Sequence, residues 1–173
     1  FLADDVRLLG CYADTGCHFV FDHRITAMES SVMQNLVTQF FSVDHERLDF
    51  LFRMYRENKK NQRYKAVLLF DKFSEGLKRH IRWEEELLFP MFEKATGMNG
   101  SGPTMVMRHE HDKIRAMLDE ISESLKNDDH SEALEKALSE LLLLHNEKEE
   151  QVLYVQCDRA LTEEQLLTLF LDM

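Results

Sequence analysis

The sequence predicts an all-α fold, an antiparallel up-down four-helix bundle with an N-terminal extension and a short C-terminal helix. Two prolines and six glycines in 173 residues leave long segments without helix breakers. From residue 43 onward, apolar residues recur at intervals of three and four, which is the period of a helix with one buried face. The same region contains a sequence repeat, so we expect two similar helical hairpins.

The repeat is clearest around two histidines. The segment that starts at His80 reads His-Ile-Arg-Trp-Glu, and the segment that starts at His145 reads His-Asn-Glu-Lys-Glu, at an offset of 65. A second match joins His45 and its preceding aspartate to His111 and its preceding glutamate, at an offset of 66. The chain therefore has the pattern of a duplicated helical hairpin.

Helices A and B form the first predicted hairpin. We place helix A near 43–59, where it ends in a polar stretch, and helix B near 63–95. Pro90 is expected to kink or thin the end of helix B, because proline lacks the backbone N–H that a helix interior needs.

The second predicted hairpin follows the clearest loop of the chain, the stretch 96–103, which is rich in glycine. We place helix C near 104–126 and helix D near 131–156, with turn formers and an N-cap between them. A last short helix begins at Thr162, because Thr-Glu-Glu-Gln has the spacing of a capping box.

These elements divide the chain into three parts. We expect an N-terminal extension packed on the bundle (1–42), the bundle itself (43–157) and the C-terminal helix (158–173). Within the extension, residues 17–21 have the pattern of a short strand and residues 25–41 have a helical period.

The charge balance excludes several classes of partner. Against 32 acidic residues there are 21 basic ones, so the formal net charge of −11 opposes binding to nucleic acid or to an anionic membrane. No apolar run reaches about 18 residues and the chain does not start with a secretory signal pattern, so we expect no membrane span. Three cysteines, an odd number, are typical of a reducing compartment, and we expect a cytoplasmic protein.

Each predicted helix carries one histidine on its apolar face. A helix advances about 100° per residue, so His80 with Glu84, and His145 with Glu149, lie one turn apart on the same face. The apolar stripe that flanks the second pair is Leu138, Leu141, Leu142 and Val152.

Helices A and C place His45 and His111 on their apolar faces in the same way. An ionised carboxylate in such a face is costly unless it is paired, hydrogen-bonded or bound to a metal. Imidazole with carboxylate suits first-row divalent ions, and the lack of an inward cysteine argues against iron–sulfur clusters and thiolate zinc. The candidate metal ligands are His45, His80, Glu84, His111, His145 and Glu149. They are too many for one tetrahedral zinc and natural for two metals; the alternative is a bundle with buried His–Glu hydrogen bonds and no metal.

These motifs resemble those of the haemerythrin-like, or HHE cation-binding, domains over about residues 43–156. The matching motifs are Asp44-His45, His80 with Trp83-Glu84-Glu85 and Leu88-Phe89-Pro90, Glu110-His111-Asp112, and His145 with Glu149-Glu150. The resemblance implies a four-helix bundle around an oxo- or hydroxo-bridged pair of non-haem irons. It further implies that His45 and His80 bind one iron, His111 and His145 bind the other, and Glu84 and Glu149 bridge them.

The sequence also departs from the oxygen-carrying haemerythrins. Met107 stands one turn before His111, where those proteins have a second histidine, and helix D reads His-x-x-x-Glu instead of His-x-x-x-x-Asp. The set of four histidines and two glutamates is more similar to bacterial proteins that repair iron centres under nitrosative stress, and to haemerythrin-like sensor domains. Such repair proteins usually carry an N-terminal cysteine pair, which Cys11 and Cys17 do not reproduce.

The resemblance therefore implies a non-haem di-iron protein that binds or reacts with oxygen, nitric oxide or peroxide in a nitrosative or oxidative stress response. Two alternatives stay open: an iron-donating enzyme of iron–sulfur centre repair, and an iron or oxygen sensor or storage module. Whether the protein is an enzyme is open for the same reason. The expected partner is a diatomic gas or peroxide, and a homodimer is compatible with the sequence.

Nearby residues have simpler interpretations. His109 lies about 200° around helix C from His111 and is expected at the surface. Glu85 and Glu150 are expected to be solvated or to orient the histidines rather than to bind metal. Further candidate partners of the histidines are Asp44, Asp49, Asp112 and Tyr154. Five apolar side chains are expected in the core, and as a hypothesis they also line a small pocket for a diatomic gas. They are Met107, Trp83, Phe52, Ile114 and Leu118. Two interpretations stay open for a group of N-terminal side chains. They pack or lie at the surface, or they form a second metal or redox site. These side chains are Cys11, Cys17, His18 and His23.

Overall fold

The computed structural model describes residues 35–127 and 131–173, and within these ranges every regular element is helical. The α-helices are α1 (Leu36–Asn58), α2 (Arg63–Trp83), α3 (Phe89–Thr96), α4 (Pro103–Lys126), α5 (Glu132–Lys148), α6 (Tyr154–Ala160) and α7 (Glu163–Asp172). Two π-helical turns, Glu84–Leu88 and Glu149–Leu153, join α2 to α3 and α5 to α6. The predicted all-α bundle is confirmed.

Four long rods form this bundle: α1, α2 through α3, α4, and α5 through α6. The connections between them are short, so successive rods run antiparallel. The predicted loop at 96–103 is confirmed. Gly97 ends α3 with a φ of 75°, a left-handed conformation that glycine adopts without strain, and Pro103 occupies the first turn of α4.

Helix α1 begins at Leu36, earlier than the predicted start near residue 43. The physical reason lies at the far end of the chain, where the Asp158 carboxylate accepts hydrogen bonds from the backbone N–H groups of Val37 (2.8 Å) and Thr38 (3.1 Å). These donors have no partner inside the helix, so the carboxylate acts as the cap that Asn35 does not supply. The predicted division after residue 42 therefore falls inside α1.

The predictions made for residues 1–34 lie outside the described residues. They include the short strand at 17–21 and the interpretation of Cys11, Cys17, His18 and His23.

Helix α7 starts with the predicted capping box. The Thr162 hydroxyl accepts a hydrogen bond from the backbone N–H of Gln165 (3.3 Å), and the Gln165 side chain accepts one from the backbone N–H of Thr162 (2.9 Å). Leu166 and Leu169 of α7 are buried against the end of the bundle. Among the helices of 35–127 and 131–173, none has both the length and the apolar character that crossing a membrane requires.

Two apolar clusters make up the core, and polar residues separate them along every long rod. The first cluster includes Leu48, Phe52, Phe73, Ile114, Leu118 and Leu142. The second cluster includes Phe41, Leu88, Phe89, Met107 and Leu153, with Trp83 packed against it. Four of the five side chains expected around a gas pocket are buried in these clusters, and Trp83 is partly buried against the second one. The gas pocket itself stays a prediction.

The second π turn overturns one core prediction. Val152, expected on the apolar stripe of helix D, is 46% exposed, whereas its neighbour Leu153 is 1% exposed. The backbone N–H of Tyr154 bonds to the carbonyl of Glu149, five residues earlier, instead of four. This extra residue in the turn rotates the following side chains away from the α-helical register, so the buried position moves by one.

Candidate metal centre

Six buried side chains converge in the polar layer between the two apolar clusters. They are the six predicted candidates, and each is at most 4% exposed: His45, His80, Glu84, His111, His145 and Glu149. Their donor atoms form two groups in which all atoms lie within 4.8 Å of one another. One group is His45, His80 and Glu149; the other is Glu84, His111, His145 and Glu149. Glu149 belongs to both groups.

The imidazoles direct their Nε2 atoms into this layer. The Nε2 atoms of His45 and His80 are 3.0 Å apart. Two nitrogens bound at right angles to one first-row ion, each about 2.1 Å from it, are also about 3.0 Å apart. On the other side, His145 Nε2 lies 3.2 Å from Glu149 Oε1, and His111 Nε2 lies 3.3 Å from Glu84 Oε2.

The outer nitrogen of each imidazole, Nδ1, is hydrogen-bonded to a carboxylate. The pairs are His45 with Glu150 (2.8 Å), His80 with Asp44 (3.0 Å), His111 with Glu85 (2.9 Å) and His145 with Glu110 (3.0 Å). An Nδ1–H that donates outward leaves the Nε2 lone pair directed into the layer, which is the arrangement of histidine ligands in protein metal sites.

Three of these carboxylates are themselves paired with a basic side chain. Arg47 contacts Asp44 at 2.7 Å, Arg115 contacts Glu85, and Lys148 contacts Glu110. Burial alone would raise the pKa of Asp44, but its hydrogen bonds to His80 and Arg47 outweigh this and lower the pKa to about 2. Burial likewise opposes His111 and Arg115 at Glu85, and these two partners lower its pKa to about 2. These two carboxylates therefore stay ionised near neutral pH.

Sequence reasoning missed the role of Glu110. The signal was present in the repeat, because Asp44 precedes His45 as Glu110 precedes His111, and each of these acids bonds the histidine of the following rod. Of the other expected partners, Asp112 pairs instead with Arg115, at 3.1 Å. Asp49 has no histidine hydrogen bond among the described residues and lines a surface groove. His109 is exposed, as predicted.

Tyr154 enters the layer from the second π turn. Its hydroxyl lies 2.7 Å from Glu84 Oε1 and 3.1 Å from Glu149 Oε2, and it lies 3.4 Å from the Nε2 atoms of both His45 and His80. Burial, together with the charges of the two glutamates, raises the pKa of Tyr154 well above its ordinary value. The phenol is therefore a neutral donor that holds these carboxylates in place.

The layer has the properties of a cation site. Three buried atoms have no hydrogen-bond partner in the described part of the chain: Glu84 Oε2, His111 Nε2 and Glu149 Oε1. Burial would lower the pKa of His45 and of His111, but the surrounding glutamates raise these values to about 9 and about 11. The negative charge that attracts protons here would attract a divalent cation as well, and imidazole with carboxylate is a donor set that first-row ions prefer. The residues therefore fit a bound metal.

The two π turns begin at the two buried glutamates. In each turn the first glutamate, Glu84 or Glu149, points into the layer, and the next one, Glu85 or Glu150, bonds a histidine of a neighbouring rod. A π turn widens the helix by one residue and is frequent at functional sites. Here the π turn allows one carboxylate to point into the layer while the next carboxylate orients a histidine of the same site.

Comparison with known proteins agrees with this geometry. The family model described as the Hemerythrin HHE cation binding domain matches residues 36–157. The chain belongs to this family. The resemblance seen in the sequence is confirmed, and this haemerythrin-like domain extends from the start of α1 to the middle of α6.

Similar stretches occur in two curated relatives, both named iron-sulfur cluster repair protein YtfE. The proteins of Yersinia pestis (strain Pestoides F) and Yersinia pseudotuberculosis serotype O:1b (strain IP 31758) are each 40% identical to this chain over 53 residues. That stretch is 31% of this chain and 24% of each relative, so it spans about a quarter of the relatives' length. No solved structure matches the chain.

Proposed function

We propose that this haemerythrin-like domain holds a non-haem di-iron centre and supplies iron for the repair of iron–sulfur centres. The observation that carries the proposal is the set of four imidazoles whose Nε2 atoms converge while each Nδ1 is bonded to a carboxylate. A bundle with ordinary buried histidines has no need of four such oriented pairs in one layer.

In the proposed centre His45 and His80 would hold one iron, His111 and His145 would hold the other, and Glu84 and Glu149 would be shared between the two. Two observations support this division. Glu149 belongs to both donor groups. Glu84 Oε2 lies between the two pairs, 3.6 Å from His80 Nε2 and 3.3 Å from His111 Nε2. Met107 is buried where a further histidine would stand in an oxygen carrier, and a thioether is a poor ligand for ferrous or ferric iron.

The protein's own residues prepare the site for this role. Iron held by these residues would supply one-electron chemistry and would bind small ligands. The carboxylates at Nδ1 fix the tautomer and the ring orientation of each histidine, and Tyr154 fixes Glu84 and Glu149. The apolar clusters on both sides of the layer exclude water from the buried glutamates.

The names of the relatives support iron–sulfur repair among the functions open to such a centre. Binding of oxygen, nitric oxide or peroxide is the second candidate, because four histidines and two glutamates offer fewer donors than two six-coordinate ions would accept. A cytoplasmic setting fits both roles, since a reducing compartment keeps iron ferrous and keeps the buried Cys157 thiol free.

The test starts with the iron content of the whole chain purified without oxygen. We expect two irons per chain, and loss of iron together with lower stability in His80→Ala and Glu149→Ala, because metal binding contributes to folding. His109→Ala is the matched control, since His109 is exposed and should leave the iron content unchanged. Unchanged iron in the first two variants, or zinc alone in the native chain, would contradict the assignment.

A second measurement separates the two functions. The iron-loaded chain is mixed without oxygen with an iron–sulfur protein whose cluster has been damaged by nitric oxide, and recovery of the cluster absorption is followed. Iron donation predicts recovery together with loss of iron from the donor chain. A reversible spectral change with oxygen or nitric oxide, without transfer, would favour the gas-binding candidate.

A further inference from the structure

The four carboxylates that orient the histidines are not equivalent. Glu150 is 38% exposed, whereas Asp44, Glu85 and Glu110 are 12%, 18% and 14% exposed. Each of these three is also paired with Arg47, Arg115 or Lys148. No Lys or Arg nitrogen of residues 35–127 and 131–173 lies within 4.0 Å of the Glu150 carboxylate. The hydrogen bond that orients His45 is therefore the least protected of the four.

The sequence repeat locates the origin of this difference. The offset of 66 that aligns His45 with His111 also aligns Asp49 with Arg115. Arg115 neutralises Glu85 in one half of the site. In the other half, Asp49 stands at the equivalent position and adds a negative charge that acts on Glu150 instead of neutralising it.

A groove between α1 and α5 reaches this weaker half. The groove has a volume of about 1600 Å³, and His45 is the one proposed iron ligand that lines it. The lining near His45 in the sequence is acidic: Glu46 and Asp49 of α1, with Glu147 of α5 and Glu150 of the second π turn opposite. The basic Arg53 follows one turn after Asp49 and also acts on it. Away from the site, the two helices are joined through Glu135, which contacts Lys59 at 2.6 Å and Tyr55 at 2.7 Å. The groove thus runs between one buried polar link and the His45–Glu150 pair.

We propose that the two iron positions are inequivalent, and that the position formed by His45 and His80 exchanges ferrous iron through the acidic end of the groove between α1 and α5. Release of this iron requires His45 to turn away, which breaks its part-buried hydrogen bond to Glu150. Release of the other iron requires a histidine to leave a carboxylate that Arg115 or Lys148 also holds. Asp49 and Glu150 act as positioning residues. The inference rests on the proposed di-iron function and names the iron that is delivered.

Iron release to a chelator tests the inequivalence. The full chain is loaded with two equivalents of ferrous iron without oxygen, mixed with an excess of a coloured ferrous chelator, and followed by absorbance. We expect two phases of equal amplitude. Glu150→Gln should speed the fast phase on the order of tenfold or more and leave the slow phase unchanged, because such partners of ligating histidines change metal affinity on that scale. Glu110→Gln is the matched variant and should speed the slow phase.

Exchanging the charges between the two halves tests the role of Asp49. Asp49→Arg gives Glu150 the arginine that Glu85 has, so the fast phase should slow towards the slow one. Arg115→Gln should speed the slow phase, and Asp49→Asn should have an intermediate effect. Glu120→Lys, an exposed change on α4, controls for net charge and should alter neither phase. The effect of Asp49→Arg should shrink in about 1 M salt, where screening acts within about 3 Å.

The outcomes separate the two proposals. If the native chain binds no iron, the proposed function fails. If it binds two irons that leave at a single rate, or if Glu150→Gln speeds the slow phase, the di-iron function stands and the inequivalence is refuted. The melting temperature of each loaded variant is measured alongside, because a general loss of stability would speed both phases together.

Discussion

The metal-free protein should lose stability as the pH rises from 6.5 towards 9. Burial would lower the pKa of His45, but Glu149, Glu150 and Glu84 raise it from 6.5 to about 9. Below pH 6.5 the folded and the unfolded chain both carry the proton, and the full stabilising contribution is present. Above pH 6.5 the unfolded chain releases the proton while the folded chain keeps it, so the contribution is lost as the pH rises through about 9.

The size of this effect follows from the shift of His45. A rise from 6.5 to about 9 in the pKa of His45 corresponds to about 3 kcal/mol of stability. For a chain of this length, about 1 kcal/mol changes the melting temperature by roughly 2–4 °C, so the melting temperature should fall by roughly 6–12 °C. His111, whose pKa is raised to about 11, also keeps its proton across this range and adds to the fall.

The assay is thermal unfolding of the chelator-treated chain, followed by circular dichroism between pH 6 and pH 9 at constant ionic strength. His45→Gln should remove part of the pH dependence, and His109→Gln, at an exposed site, should leave it unchanged. The iron-loaded chain should not show the fall, because metal binding requires neutral imidazoles and strengthens as the pH rises. A melting temperature that is constant or rises with pH in the metal-free chain would refute the reasoning.

Two further predictions concern stability away from the candidate metal centre. Asp158→Ala should cost about 1 kcal/mol in chemical denaturation and leave iron binding intact, because it removes the cap of α1 but no proposed ligand; an unchanged midpoint would contradict the capping role. Glu135→Ala should cost about 3 kcal/mol or more, because Tyr55 and the mostly buried Lys59 lose the carboxylate that pairs them, whereas Glu135→Gln should cost less. Equal losses in these two variants would exclude the charge as the cause.

The inward faces of the rods were predictable because they depend on local periodicity. A period of three and four residues places His45 with Leu48 and Phe52, and His111 with Ile114, on one side of their helices, and these side chains are buried in the structure. One histidine on every apolar face is expensive unless the four meet, so their convergence followed from the same argument.

Other features depend on contacts that periodicity does not encode. The early start of α1 depends on Asp158, which lies about 120 residues further along the chain. The burial of Leu153 in place of the predicted Val152 depends on a π turn. A prediction that assumes one helical period throughout places every residue after this turn one position out of register. The consecutive glutamates at the same place in both repeats were the available signal, because an α-helix does not direct two adjacent side chains at one site.

The hydrogen bonds at Nδ1 explain why the site needs both halves of the repeat. Asp44 with His80, and Glu110 with His145, join rods of the same hairpin, whereas Glu85 with His111, and Glu150 with His45, join one hairpin to the other. A single hairpin would therefore offer two histidines of which one has no partner at Nδ1. The duplication supplies each missing partner from the opposite hairpin, and the apolar clusters above and below hold the two hairpins together. Arg115 stabilises one of these cross-links, whereas Asp49, at the equivalent position, does not stabilise the other. The two halves of the site therefore share the same pattern of candidate ligands but differ in charge.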